Sequence, residues 1–207
     1  MLAFLMQAAL IGDVVGSRQS GDRPRLQHDL LGLLEDVSDR LGAPLAVTLG
    51  DEFQGRYATM ADAVEASWLL HLGSIAFARL RIGIGWGAIT VDPGNGSPYG
   101  QDGPAWWQAR DAIEGLAGSS QGPRTLVRTA TDWDELTNAY LTLRDLHLGR
   151  LDEVDASIVV GMRAGDTQRA IAERLKIHES SVSRRIHRKE LASLLDTATP
   201  AIPLPEQ

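Results

Sequence analysis

At 207 residues, 43% hydrophobic and 23% charged, the chain has the composition of an ordinary globular protein, long enough for one core of about 150 residues and a smaller appendage. With no cysteine, disulfides and thiolate metal sites are excluded, and a cytoplasmic location is expected. The net charge of −7 speaks against a polyanionic partner until its distribution is read: Arg163 to Glu190 holds eight basic and four acidic residues, net +4, so the remainder carries −11.

Residues 3–12 read as a buried first strand; the apolar start lacks a basic flank and is too short for a membrane span or a signal peptide. Leu26, Leu30, Leu33, Leu34, Val37 and Leu41 recur at helical spacing and predict a helix over 23–41. Pro44 to Leu49 and Glu52 to Tyr57 predict a hairpin around Gly50-Asp51. A helix is expected over 59–73, a strand from Leu80 to Val91, a loop over 92–103, and a helix from Pro104 to about Leu116. The order βαββαβ suits an antiparallel or mixed sheet with helices on one face, a ferredoxin-like α+β arrangement. Ser119 to Arg124 reads as an exposed loop. Helices follow near 132–148, 152–164, 167–175 and 179–195, and Thr199 to Gln207, rich in proline, reads as a frayed tail. The division expected is a domain over 1–125, a connecting helix over 126–150, an all-α domain over 151–198 and the tail.

The run TQRAIAERL, the turn KIH and the run ESSVSRRI resemble the helix-turn-helix of bacterial regulators and recombinases. Ile171, Ala172 and Leu175 of the first helix face Val182 and Ile186 of the second. Thr167, Gln168, Ser180, Ser181, Ser183, Arg184, Arg185 and Arg188 would then meet phosphates and base edges of double-stranded DNA, read by a homodimer. Lys176 stands where glycine is usual at such a turn. A surface helical hairpin with a solvated basic face is the competing reading.

Toward the other end, Asp13 follows the first strand and Asp51 sits at the hairpin tip, and in this fold the two strand ends lie side by side. Paired carboxylates repel, and a hard divalent cation such as Mg²⁺ or Mn²⁺ relieves the repulsion while attracting phosphate. Gly12, Gly16 and Ser17 leave amides open to a phosphate, and Arg18 or Arg110 adds positive charge. Both Gly-Asp pairs also read as plain turn chemistry. Gln54 reads as polar core or ligand contact, and one of Trp106 and Trp107 as core, the other as pocket wall or dimer contact. The histidines have no metal-ligand spacing.

The runs IGDVVGSR, TLGDEFQG, RIGIGWGAI and GQDGPAWWQARDAIE resemble SatD family proteins, over roughly residues 8–195, and more remotely the class III nucleotidyl cyclases and GGDEF cyclases. That resemblance implies a palm-like, cyclase-like domain with metal-binding Asp13 and Asp51 and a role for Arg110; together with the residue reading, nucleotide contacts are expected from Gly12, Gly16, Ser17, Arg18, Gly50, Glu52 and Arg110. Val47 and a tryptophan stand where the cyclases carry their purine-selecting lysine and supporting asparagine, and Leu49 replaces the first glycine of the GGDEF motif. The expectation is therefore a DNA-binding transcriptional regulator with a non-catalytic nucleotide and metal sensor, touching no membrane. The alternative is a divergent nucleotidyl cyclase or phosphoryl-transfer enzyme using two Asp-held metals.

Overall fold

The structure, a computed structural model, describes residues 5–19, 21–90, 101–117 and 122–198. Strands β1 (Leu5–Val14), β2 (Leu45–Leu49), β3 (Glu52–Tyr57), β4 (Leu80–Ile89) and β5 (Thr125–Arg128) form one mixed sheet in the order β2-β3-β1-β4-β5. All neighbours are antiparallel except β4 and β5, which are parallel and joined through α3 (Pro104–Gly115). The α+β class and the central βαββαβ order hold. The proposed tail, most of the 92–103 loop and the first half of the Ser119–Arg124 loop lie outside the described residues.

Helices cover both faces of the sheet, not one. On the first face, α1 (Arg23–Leu41) and α2 (Met60–Gly73) pack Leu30, Leu34, Val37, Met60 and Trp68 with Leu10, Phe53, Ile82 and Ile84 of the strands. Asp22 starts α1 by accepting the Arg25 amide, and Gly42, in left-handed conformation, ends it. On the second face, α3 lies against the bare glycine row of β4. A Cβ at Gly83 or Gly85 would run into the α3 backbone at Ala105, Ala109 and Ile113. A small second cluster of Ala9, Ile11, Ile89, Ala105, Trp106, Ala109 and Ile113 seals that contact.

The span 126–150, expected as a connecting helix, begins as the strand β5 and continues as α4 (Trp133–Leu148). The Asn138 amide accepts from the Val127 amide at 2.7 Å and donates to its carbonyl at 2.9 Å, closing the sheet edge as a further strand would. Beneath α4, the buried Arg144 contacts Asp145, Ser67 and Thr125, and Thr125 also meets His71 at 2.8 Å.

Then follow α5 (Glu153–Arg163), α6 (Gln168–Leu175), α7 (Glu179–Arg188) and α8 (Ser193–Asp196). The single helix expected over 179–195 breaks after Arg188, where Glu190 takes a left-handed φ of 50°. Ile158, Ile171, Val182, Leu191 and Leu194 join the same buried cluster as the α1/α2 face of the sheet. Lys176 adopts φ 55°, ψ 41°, so the turn between α6 and α7 keeps a left-handed residue without glycine. No helix among the described residues is long and apolar enough to cross a membrane.

Candidate functional site

Strand alternation sends Asp13, Ile11, Glu52, Gln54 and Arg81 to the α3 side of the sheet, at the end where β1 leaves it. Asp13 and Arg81 are direct cross-strand partners, and the guanidinium grips the carboxylate with both Nε (2.9 Å) and Nη2 (2.5 Å). The Asp13 hydrogen bonds, with Asp13 and Asp51 close by, raise the Arg81 pKa further. In the second turn of α3, Arg110 makes a second forked pair with Glu52 at 2.8 and 2.9 Å. The Arg110 hydrogen bonds hold the Glu52 carboxyl below the usual carboxylate range, against the opposing effect of burial. Gln54 and Thr48 also donate to Glu52.

Beside these pairs lies a cavity of about 350 Å³ lined by Ile11, Gln54, Gln101, Trp106, Trp107, Arg110 and Asp111. Trp107 is 59% exposed, and its indole N–H donates to Asp102 at 2.8 Å, which fixes the ring on the cavity's rim. Trp106 is buried in the wall, and its N–H has no hydrogen-bond partner. A donor left dry at the edge of a cavity favours a ligand acceptor there.

The predicted site residues therefore divide. Asp13, Glu52 and Arg110 meet on the α3 side, with Asp51 near enough to act on Arg81. Ser17, Gly50 and Asp51 instead line a pocket of about 40 Å³ against α1, room for one water and not for a nucleotide. Gly16 and Gly50 take left-handed turns, and Arg18 lies in the short 3₁₀ turn Ser17–Gln19. Gly12 lies within β1 with the Phe53 ring in the place a Cβ would fill. Of the two Gly-Asp pairs expected at turns, Gly12-Asp13 lies within β1 and Gly50-Asp51 forms a turn, and both fall at this end of the sheet. Arg81 was missed, because no local spacing announces a partner 68 residues away.

A divalent ion is implied by the cyclase resemblance, and the arrangement does not fit one. Both Asp13 oxygens are taken by Arg81, and among the described residues no group of three or more metal-ligating side chains comes together. A guanidinium stands where the cation was expected.

In the C-terminal helices, part of the charge expected to face a polyanion pairs within the chain instead. Arg185 donates to Asp152 (2.8 Å) and to the fully buried Asp155 (2.6 Å), and Lys189 also pairs with Asp155. Burial opposes ionisation of Asp152, yet the Arg185 and Asp155-amide hydrogen bonds, with Lys189 nearby, hold its pKa at about 2. Thr167 caps α6 through the Ala170 amide, Ser180 meets His178, and Ser181 accepts from Arg184. Gln168, Arg184 and Arg188 are exposed and Ser183 is half-buried.

A model of the SatD family matches residues 7–204. No curated protein matches the chain. Among solved structures the chain is similar to a bacterial light-regulated adenylyl cyclase, at 13% identity over 60% of this chain and 76% of that one, with a TM-score of 0.48. It is also similar to the guanylate cyclase domain of RhGC from Catenaria anguillulae in complex with GTP (17%, 54% and 73%, TM-score 0.43). A third is the adenylate/guanylate cyclase/hydrolase from Silicibacter pomeroyi (20%, 54% and 70%, TM-score 0.42). The fold is α+β. The expectation of a DNA-binding transcriptional regulator is corrected by the pairing of part of its basic charge within the chain. Arg185 and Lys189, two of the eight basic residues behind that expectation, are neutralised by α5.

Proposed function

The chain belongs to the SatD family, and on the geometry above we propose that it is a divergent nucleotidyl-cyclase-like domain that takes a nucleoside triphosphate into the cavity between α3 and the open face of β1 and β3. The observation that carries this reading is the pairing of an exposed, tethered indole with the fixed guanidinium of Arg110 around one cavity, with Arg81 held in a second fork on the same face of the sheet. Trp107 offers a stacking face for a base, a contact that tolerates any base. Gln54 and Gln101 supply amide groups for its edge, and the Trp106 N–H supplies a donor. Arg110 and Arg81 draw the phosphates toward the strand end, and Glu52 and Asp13 hold both guanidinium groups in orientation. The reaction class is phosphoryl transfer on the bound nucleotide, with the arginines offsetting charge that builds on the phosphate oxygens.

The test is a titration with ATP and GTP, following tryptophan fluorescence and analysing the mixture by chromatography. Saturable quenching is expected, lost in Trp107→Ala and weakened about tenfold or more in Arg110→Ala, with a nucleotide product formed by the parent protein alone. Absence of quenching and of thermal stabilisation by any nucleoside triphosphate at millimolar concentration would overturn the reading.

A further inference from the structure

Helix α4 is held firmly on its inner side and bare on its outer side. Thr137, Leu141, Arg144, Asp145 and Leu148 are buried, and Asn138 is clamped to the β5 backbone. Along the opposite side, Leu136 (52% exposed), Ala139, Leu143 (70%) and Leu146 (46%) stand in water. Their spacing of three, four and three residues is that of a helix–helix seam, and it forms one narrow stripe. A contiguous apolar stripe on a rigid, preformed helix marks an interaction surface.

The sequence of the stripe identifies its occupant. We propose that α4 pairs with α4 of a second copy, antiparallel and across a two-fold axis that passes between Ala139 and Leu143. Such an axis sets Leu136 against the partner's Leu146, and Ala139 against the partner's Leu143, so that a small residue receives a large one at the centre. Flanking the helix, its N-cap Asp132 lies four residues before Leu136, and Arg150, two residues beyond its end, lies four residues after Leu146, both exposed. The axis brings Asp132 against Arg150 of the partner subunit at each end of the seam. A parallel pairing would instead set aspartate against aspartate and arginine against arginine. Antiparallel helices also oppose their dipoles favourably. One helix and its two flanks thus carry apolar and charged complements to a second copy, the signature of an isologous contact. The inference stands on α4 alone and does not rest on the nucleotide reading.

Sedimentation equilibrium of the full chain tests it, with circular dichroism and thermal melts confirming the fold of each variant. The parent protein is expected to dimerise, and Leu143→Glu and Leu136→Glu to be monomers with an unchanged melt. Asp132→Arg is expected to weaken the dimer about tenfold, and the double variant Asp132→Arg/Arg150→Asp to recover it. A parent protein that stays monomeric overturns the proposal. So does a dimer indifferent to Leu143→Glu, or a charge-reversed double variant no tighter than Asp132→Arg.

Discussion

Two carboxylates and two guanidinium groups meet at the strand end, and each guanidinium is held by a fork of two hydrogen bonds. Arg81 thereby acts as a resident cation for Asp13, with the Asp51 charge close by. Calorimetric titration of the parent protein with Mg²⁺ alone should show no binding at this site. Arg81→Ala should expose the carboxylates, give a Mg²⁺-binding signal, and weaken ATP binding about tenfold or more. A Mg²⁺ signal in the parent protein that Asp13→Asn abolishes would show that the guanidinium yields to the ion. Part of this site was legible in the sequence: two Gly-Asp pairs, one inside β1 and one at the hairpin turn, with Arg110 on the helix after the fourth strand, pointed to one end of the sheet. Arg81 was not legible, because its role is set by the β1–β4 register, and a single sequence shows which residues alternate but not which residue they face.

Helices α1 to α3 and strands β1 to β4 were readable because each has either a helical apolar stripe or an alternating run long enough to reveal its period. The four-residue β5 has too few positions to show one, and its partner on the outer edge is a side-chain amide rather than a strand. Its inner anchor is the buried group of His71, Thr125, Arg144 and Asp145 that joins α2, β5 and α4. Burial pushes the His71 pKa down to about 3 from 6.5. Between those values the unfolded chain takes up a proton that the folded chain refuses. The stabilisation is complete above pH 6.5 and is lost as the pH falls toward 3, at up to about 1.4 kcal/mol per pH unit. Urea denaturation at pH 7 and pH 4 should therefore show a loss of roughly 3 kcal/mol in the parent protein, and a smaller one in His71→Gln, which keeps a polar side chain toward Thr125. Equal slopes in both proteins would remove His71 as the cause.

Across the whole molecule, charge is partitioned in a way that composition alone misrepresents. The basic C-terminal segment faces an acidic partner within its own chain: the start of α5 offers Asp152 and Asp155, and α7 answers with Arg185 and, at its end, Lys189. The two aspartates also form the capping box that starts α5, so the same groups define a helix end and dock a second helix onto it. Asp155 is fully buried, and its removal leaves Arg185 and Lys189 with only the half-exposed Asp152. Because apolar contact joins α5 to α8 with the sheet's main cluster, this loss should register in global stability rather than as local fraying. Asp155→Asn is expected to lower the unfolding free energy by about 2 kcal/mol in a single cooperative transition. In the parent protein 1 M salt should have little effect on the pair, since a buried ion pair is weakly screened. An unchanged urea midpoint in Asp155→Asn would mean that α7 is held by Val182 and Ile186 alone. The inward turn of Arg185 and Lys189 would then be a consequence of helix packing and not a cause of it.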